Sequence, residues 1–497
     1  MMPKLRVVST LMLIVACGPG GLAPGGPSLR SESSAATTPI GSAVTFGGGK
    51  VQFGAIAFDG AGHAVVAGSF LGSVDFADGK GPYLATTVYR GFLASLTSAG
   101  TVSWVHVLDA RLDESALFSL AVDLAGNIYL YGKWNTPVSF DPSGTGAIPK
   151  NHGRTSFLTK FLQNGSFAWT RSIDGGGTAG IATDAAGEIF YAGNFSGTVN
   201  LYPDDGSGSG ADYAFTQSDA NGQQGSGAFV TKLNADGSYA WSAAWAPAYG
   251  NVFGFARVFV DAPGNITLLG GLFGAMDFDP TPGVDVLENT QLNEGGYAGG
   301  ATTFTRINAD RSYGWTQSLA YAARVVAAAS DAEGNVYVAG NFASSINIAP
   351  APDEDVLTNI GGSTELFVTR FNADGSYGWS RNTLSFPGAA AVSRSIAVIP
   401  GGDVLVGGSF QGDVPFDWST DGDSLASNGR TAGFVLRTGP DATYRGTFML
   451  GDGALTLGAG GGRAGIISNL VSGAELGGWS GVTASSPGGS YALTWPY

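Results

Sequence analysis

Val368-Thr-Arg-Phe-Asn-Ala-Asp-Gly-Ser-Tyr-Gly-Trp379 is the stretch that decides the fold of this chain. It predicts two short strands, at 367–371 and 377–382, joined by a turn at 373–376. Asp-Gly between alternating apolar runs is a strong hairpin signal, because Gly accepts the positive φ that the turn needs. The phrase occurs four more times, as FLASLTSAGTVSW (92–104), FLTKFLQNGSFAW (157–169), FVTKLNADGSYAW (229–241) and FTRINADRSYGW (304–315). One hairpin is therefore repeated along the chain.

A second pattern precedes each hairpin and completes a unit of four short strands. One strand ends in Asp and a Gly-containing turn, and an apolar strand such as 336–342 follows it. The turn Asp recurs at positions 59, 123, 184, 261 and 331. Asp at the start of a turn accepts hydrogen bonds from the backbone just ahead, so these carboxylates are assigned to turn capping, not to a catalytic ring. Asn127, Asn265 and Asn335 follow the turn Gly, and Asn tolerates left-handed backbone at such a position.

The Trp that ends each hairpin recurs at positions 104, 169, 241, 315 and 379. A residue found once per unit at the same place is expected to pack between the units or on their outside, and not to stack on a sugar. Trp134 and Trp418 stand outside the repeat. They are therefore the aromatic candidates for ligand binding.

Composition and repetition together predict an all-β fold. The chain has 80 Gly among 497 residues, with 11 % aromatic and only 13 % charged residues, which is typical of turn-rich β proteins. Four-stranded antiparallel repeats of this length predict a single β-propeller, whose closed ring removes free sheet edges. We expect seven blades, the last one degenerate and completed by the N-terminal strand at 43–47. A six-bladed ring is the alternative.

The units resemble the bacterial β-propeller repeats often called SBBP repeats. That pattern reads roughly I-A-V-D-x-x-G-N-V-Y-V-x-G-x-F, then an acidic loop, then F-V-x-K-L-x-x-x-G-x-x-x-W. The likeness covers about residues 43–450, and 181–241 and 327–379 are the copies that match it best. The resemblance implies a propeller on a surface or secreted protein and implies no particular activity.

Residues 1–16 predict a lipoprotein signal peptide. A basic start and a short apolar run lead to Ile14-Val15-Ala16-Cys17, which resembles a bacterial lipobox whose Cys becomes the lipidated N-terminus. The run is too short to span a bilayer, which takes about 20 residues, but suits a signal peptide. Gly18 in place of Asp favours the outer membrane by analogy with known lipoproteins; an ordinary secretory signal is the alternative. Residues 17–42 then predict a flexible tether and 43–497 the propeller.

Charge and the use of Cys and His disfavour several classes of protein. A net charge of −15 argues against nucleic acid as a partner. His63, His106 and His152 lack the spacing of metal ligands, which argues against a zinc or iron enzyme. Cys17 is the only cysteine in the sequence, so no disulfide is expected to support the fold.

Acidic loops after the second strands carry the candidate metal ligands. They form two sets: Asp277, Asp279 and Asp285, and Asp417, Asp421 and Asp423. Calcium binds hard oxygens gathered within a short loop, so both sets are candidate calcium ligands. Neither set follows the EF-hand spacing, and a solvated acidic rim is the alternative. In antiparallel units these loops are all expected on one face.

A non-catalytic binding or scaffold module is the function that these features favour. The second-strand cores carry no carboxylate pair of the kind that glycosidases use. A loose likeness to the repeats of quinoprotein dehydrogenases comes without the ligands that those enzymes need. The sequence therefore predicts a lipid-anchored envelope protein that binds protein or glycan through an acidic loop face. A calcium-dependent or lectin-like adhesion module is the alternative, and envelope-assembly propeller lipoproteins offer a further analogy.

Overall fold

The computed structural model is all-β in the residues that it describes, and these contain no helix. It describes four strand pieces, at 13–15, 467–468, 482–483 and 493–494, and residues 42–450 with gaps. The gaps are 45–46, 59–62, 77, 98–100, 113–117, 134–139, 141–155, 174–176, 203–213, 217–225, 246–251, 290–300, 320–322, 350–353, 362–363, 399–401, 419–423 and 428–430. None of the described elements is a helix long and apolar enough to cross a membrane.

Six four-stranded antiparallel sheets, numbered here in chain order, make up this body. Sheet 1 consists of Gly47–Phe58, Ala64–Asp75, Tyr83–Leu96 and Val102–Leu112. Sheet 2 consists of Phe118–Val122, Ile128–Lys133, Ser156–Phe161 and Phe167–Ile173. Sheet 3 consists of Gly177–Thr183, Ile189–Ser196, Ser226–Leu233 and Tyr239–Trp245. Sheet 4 consists of Val252–Val260, Ile266–Asp277, Ala301–Ile307 and Tyr313–Leu319. Sheet 5 consists of Arg324–Ser330, Val336–Phe342, Glu365–Phe371 and Tyr377–Asn382. Sheet 6 consists of Ala390–Val398, Val404–Gln411, Ala432–Thr438 and Tyr444–Leu450. The predicted all-β class and four-strand unit are confirmed.

Short strands extend the loops between the second and third strands. Six of them form three small hairpins, and a seventh pairs with the end of the second strand of sheet 4. The hairpins are Thr198–Asn200 with Ala214–Thr216, Ile346–Asn347 with Val356–Leu357, and Asp413–Pro415 with Ser424–Ala426; the added strand is Val286–Asn289. The inserted loops are thus partly ordered by backbone pairing.

The hydrophobic core lies between successive sheets. Neighbouring residues of one strand enter different clusters: Val65 and Leu93 pack towards sheet 2, whereas Val66 and Phe92 pack on the opposite face of sheet 1. Side chains alternate across a strand, so two buried faces need the nearly continuous apolar runs seen in the second strands. The first strands of successive sheets also lie side by side, from sheet 1 through sheet 6. The sheets are therefore stacked face to face in chain order.

The repeated turns owe their geometry to Asp caps and positive-φ Gly, as the sequence indicated for the Asp residues. In sheet 5, Asp331 Oδ1 accepts a hydrogen bond from Asn335 N at 2.8 Å, and Asp331 Oδ2 accepts one from the Asn335 side chain. The left-handed backbone that Asn335 would tolerate is adopted by the preceding Gly334, which has a φ of 88°. The Asn335 amide oxygen instead accepts Ala373 N of the neighbouring turn. Asn335 thus ties the two turns of one sheet together.

Each repeated Trp lies against the third-to-fourth turn of the next sheet. In the clearest case, Trp315 Nε1 of sheet 4 donates to Ala373 O of sheet 5 at 3.0 Å, and its ring covers Gly375. Trp379 Nε1 likewise donates to Pro440 O at 2.8 Å. Arg311 replaces the turn Gly in sheet 4 with φ 72°, and its guanidinium lies over the Trp241 ring. The hairpin Trp therefore packs between units, as predicted.

A residue two positions after the Trp adds a second bond to the same turn. His106 Nε2 lies 2.6 Å from Gly165 O, and Gln317 Nε2 donates to Gly375 O at 3.0 Å. A carbonyl oxygen only accepts, so Nε2 of His106 carries the proton. Burial lowers the pKa of His106, the Gly165 hydrogen bond raises it, and the charge of Lys80 lowers it, with a net decrease.

His106→Gln should weaken the acid sensitivity of the fold. Because the folded-state pKa of His106 is lowered, its stabilising contribution is complete above the unfolded pKa of about 6.5 and is lost as the pH falls through the folded value. Gln keeps a donor at this position without titrating. Urea unfolding across this pH range should show a smaller slope for the variant. Gln317→His should make stability depend more steeply on pH. Unchanged slopes in both variants would show that a His two positions after the Trp does not cause acid sensitivity.

The chain ends do not pair as the sequence suggested. Ser42–Val44 pairs with Leu13–Val15, which also pairs in parallel with Ile467–Ser468, and Gly47 already begins the first strand of sheet 1. Val482–Thr483 pairs with Leu493–Thr494 and lies against the first strands of sheets 1 and 6. Residues 43–44 and residue 47 of the predicted strand therefore belong to two different elements, and 45–46 lie outside the described residues.

Candidate functional site

The acidic loop of sheet 4 brings together Asp277, Asp279 and Asp285, the first predicted calcium set. Asp277 Oδ1 accepts hydrogen bonds from Asp279 N at 3.1 Å and from Asp285 N at 2.8 Å. Asp279 Oδ1 accepts the backbone N–H and the hydroxyl of Thr281. Asp285 Oδ2 accepts the hydroxyl of Tyr313, from the fourth strand of the same sheet. Each carboxylate therefore accepts hydrogen bonds from its own sheet.

Sheet 5 repeats this arrangement with Asn in place of the first Asp. Asn347 Oδ1 accepts Ala349 N at 3.3 Å and Asp355 N at 3.0 Å, as Asp277 does in sheet 4. Asp355 Oδ2 accepts the hydroxyl of Tyr377, and the strand Val356–Leu357 contacts the fourth strand. These two loops thus fold back along the outer strand instead of simply projecting from one face. A neutral amide can hold the loop, so its geometry does not depend on a cation.

The tyrosines that meet these carboxylates are held neutral. Burial raises the pKa of Tyr313, and the hydrogen bond to Asp285 raises it further. Burial and the Asp355 bond raise the pKa of Tyr377 in the same way. In sheet 1, burial is the main cause that raises the pKa of Tyr83 to about 12, and its 2.7 Å hydrogen bond to Asp78 also contributes. The pairs therefore consist of a neutral phenol donating to a carboxylate.

The calcium prediction gains no support from this geometry. Among the described residues, which include Asp277, Asp279 and Asp285, no group of three His, Cys, Asp or Glu side chains is arranged to hold a metal ion. A hard cation needs several oxygens directed at one point, whereas these oxygens face separate donors. The acidic character of the loops is explained by loop closure and by the Tyr contacts.

Asp277→Asn should leave stability and calcium response unchanged, whereas Asp277→Ala should destabilise the fold by about 1 kcal/mol. Asn retains the Oδ1 acceptor that closes the loop, as Asn347 does in sheet 5, and Ala removes it. For each of the three proteins, the midpoint of thermal unfolding in millimolar calcium should equal its own midpoint in EDTA. A calcium-dependent increase that Asp277→Asn abolishes would support the predicted metal site.

The other predicted site residues are spread over the chain. Asp417 and Trp418 follow the strand Asp413–Pro415, and Trp418 is half-buried against the core of sheets 5 and 6 with φ 65°. Its indole N–H is buried without a hydrogen-bond partner among the described residues. Asp421, Asp423, Trp134 and Cys17 lie outside the described residues. The position of Trp418 therefore matches packing, and its predicted role in ligand binding stays a prediction.

An exposed apolar surface accompanies the loops and was not anticipated. Val284, Val286, Val356, Ile360 and Phe386 are exposed large hydrophobic side chains, with Val284 78 % and Phe386 42 % exposed. We call these five residues the loop surface. They belong to the inserted loops of sheets 4 and 5 and to the connection into sheet 6. A Cβ on Gly361 would lie 3.1 Å from the Pro387 ring, so the segments that carry Ile360 and Phe386 touch.

Sequence reasoning missed both the Tyr–Asp pairs and the loop surface. The pairs had a signal, because Tyr stands two residues before Trp in Tyr313-Gly-Trp315 and Tyr377-Gly-Trp379, and an Asp-Val pair occurs in each preceding loop. The loop surface had no such signal in the sequence, because an apolar residue inside a polar loop can equally well be buried against the rest of the fold.

Comparisons with known proteins assign no family. No protein-family model matches the chain, and no curated protein is similar to it in sequence. Three solved structures are 10 % identical. A protein of unknown function from Dyadobacter fermentans has a TM-score of 0.38 over 87 % of this chain and 99 % of its own. A protein of unknown function from Bacteroides caccae has a TM-score of 0.23 over 59 % of this chain and 89 % of its own. An intramolecular trans-sialidase from Ruminococcus gnavus has a TM-score of 0.24 over 72 % of this chain and 89 % of its own. At these scores the likenesses support no activity.

Proposed function

We propose that this chain is a non-catalytic binding or scaffold module, held at a bacterial outer membrane by lipid on Cys17, that binds another protein through the loop surface. The observation that carries the proposal is the concentration of exposed apolar side chains on the inserted loops of two successive sheets and on the connection that follows them. Five of the eight exposed large hydrophobic residues among the described ones lie in inserted loops or in the connection between sheets 5 and 6. Apolar side chains grouped within polar loops are typical of a protein interface.

The loops are preorganised for such contact. Asp277 and Asn347 close two of them, and the Tyr–Asp bonds hold them against the outer strands. A loop that is already ordered loses little conformational entropy on binding, so more of the contact energy contributes to affinity. Acidic residues are next to the valines in sequence, at Asp285 and Asp355, and favour a partner without strong negative charge.

A closed seven-unit propeller is the scaffold that we propose for this surface. Its support is the burial of Phe70, Phe76 and Phe92 on the face of sheet 1 that points away from sheet 2. The piece Val482–Thr483 contacts the first strands of both sheet 1 and sheet 6. A shortened unit from the C-terminal residues between these two sheets would pack on the outer faces of both and remove the free edges.

Site-specific photo-crosslinking tests the binding surface. The photo-reactive residue replaces Ile360 or Phe386 on the loop surface, and Leu124 or Leu162 on the opposite turns serve as matched exposed controls. In the cells that make the protein, we expect a discrete protein adduct from the two loop positions alone. Equal adducts from loop and turn positions, or none from the loop positions, would contradict the proposal.

The anchor is tested separately, through Cys17. Cys17→Ala should move the protein from the membrane fraction to the soluble fraction, because acyl chains at about 0.8 kcal/mol per buried methylene provide the attachment. Mass spectrometry of the N-terminal peptide should show acyl chains on Cys17 in the unchanged protein. Membrane retention of Cys17→Ala would exclude a lipid anchor at this residue.

A further inference from the structure

Every hairpin Trp has a residue directly opposite it on the third strand, and in four sheets that residue is a cation. The pairs are Trp169 with Lys160, Trp241 with Lys232, Trp315 with Arg306, and Trp379 with Arg370. Sheet 6 has Arg437 in register with Gly446. A long basic side chain therefore occupies this position in sheets 2 to 6.

Three of these cations reach carbonyl oxygens of the following sheet. Lys160 Nζ lies 3.0 Å from Ala235 O, and Arg370 Nη1 lies 3.4 Å from Pro440 O, both in the third-to-fourth turn. Arg306 Nη1 lies 3.2 Å from Gly334 O, in the first-to-second turn. The space between two sheets beside the Trp is thus built to receive an ammonium or guanidinium group.

Sheet 1 has Ser95 at this position, opposite Trp104. A cleft of about 240 Å³ lies there, and its walls include Ser95, Trp104, Gly126 and Gln163. Gly126 matches Gly334 in its turn, and Gln163 matches Ala235 and Pro440, so the residues at the two positions whose carbonyls receive cations elsewhere line the cleft. Trp104 Nε1 reaches Gln163 O only at 3.4 Å. The Gln163 side chain packs on Gly126 where Arg306 packs on Gly334, and the cleft remains open beside it, next to Ser95.

We propose that this cleft binds a guanidinium group, as presented by an arginine side chain of a partner protein. The exposed Gln163 and Asn164 form its rim, so a side chain can enter from solvent. The Trp104 ring offers a face for a stacked guanidinium, and turn carbonyls accept its N–H groups. A net charge of −15 attracts cationic ligands to the molecule. This site lies at the turns, apart from the loop surface, and does not depend on the function proposed there.

Calorimetric titration of the full chain with ethylguanidinium tests the site, with ethylurea as the neutral molecule of the same shape. The unchanged protein should bind one equivalent of ethylguanidinium and at least about tenfold less ethylurea. Ser95→Arg should fill the cleft from within, as the chain does in sheets 2 to 6, and lower binding by about tenfold or more. Arg370→Ser should create a matching vacancy beside Trp379 and add a second equivalent.

Ser95→Met provides a second filled variant that carries no charge, in case Ser95→Arg folds poorly. Thermal unfolding of each variant shows whether it is folded before binding is compared. Equal binding of ethylguanidinium and ethylurea would overturn the proposal, because the site would then select shape without charge. Undiminished binding by folded Ser95→Arg or Ser95→Met would also overturn it, because the ligand would then lie elsewhere.

Discussion

Trp315→Ala should destabilise the fold by about 2–4 kcal/mol, and Trp315→Phe by only about 1 kcal/mol. The indole packs on the turn of the following sheet, where a Cβ on Gly375 would lie 2.6 Å from Trp315 Cγ, and Nε1 donates to Ala373 O at 3.0 Å. Ala removes both the packing and the hydrogen bond, whereas Phe keeps most of the ring contact. Trp315 is only half-buried, so the loss should be below that of a fully buried Trp.

Urea unfolding of the three proteins measures this difference. Trp241→Ala serves as a comparison, because its partner turn carries Arg311 over the ring instead of Gly. A loss below about 0.5 kcal/mol for Trp315→Ala would show that the contact between sheets does not contribute to stability. Lost binding of a partner with normal stability would instead identify Trp315 as an exposed recognition residue.

Arg306→Met should destabilise the protein by about 3–5 kcal/mol. The Arg306 guanidinium pairs with Asp261 Oδ2, and the two side chains are only 7 % and 2 % exposed. Its second donor reaches Gly334 O of sheet 5 at 3.2 Å. Met preserves the length of the side chain but leaves the Asp261 carboxylate buried without its cation. The loss of a buried partner, and not of packing, is the expected source of the effect.

Arg370→Met is the matched control for this variant. Its register position is the same, but the corresponding Asp331 receives the hydroxyl of Tyr337, and Arg370 reaches Pro440 O only at 3.4 Å. We expect Arg370→Met to cost about 1 kcal/mol. The double variant Arg306→Met with Asp261→Asn should recover part of the loss. Equal destabilisation by Arg306→Met and Arg370→Met would show that the ion pair with Asp261 adds no stability beyond that of a contact with a turn carbonyl.

Sheets 4 and 5 use different donors to the turn Asp because they differ at one residue of the second strand. Tyr337 of sheet 5 donates to its turn Asp, and Tyr129 of sheet 2 does the same at 2.9 Å. Sheet 4 has Thr267 at this position, which is too short to reach Asp261, and Arg306 supplies the donor instead. A residue that breaks the repeat pattern can therefore be compensated at a position distant in sequence, and only the folded chain shows which residue does so.

The sequence by itself determined the strand order, the hairpin turns and the role of the turn Asp residues. These features depend on local chemistry: alternation of apolar residues, Gly at positive φ and carboxylates that cap the adjacent backbone. The repeat also indicated that Trp packs between units, because one copy per unit at one place implies a shared structural contact. The predicted all-β class rests on the same local signals.

Tertiary structure alone decided what the acidic and basic side chains do. Asp285 is a candidate calcium ligand in the sequence, but the fold brings it to Tyr313, 28 positions further along the chain. The cleft at Ser95 likewise depends on Gly126 and Gln163 of the next sheet. Charged groups act over distances set by packing between sheets, and no local pattern encodes which donor or acceptor of a neighbouring sheet lies opposite them. The sequence therefore determined the repeated unit, and the stacking of the units determined its sites.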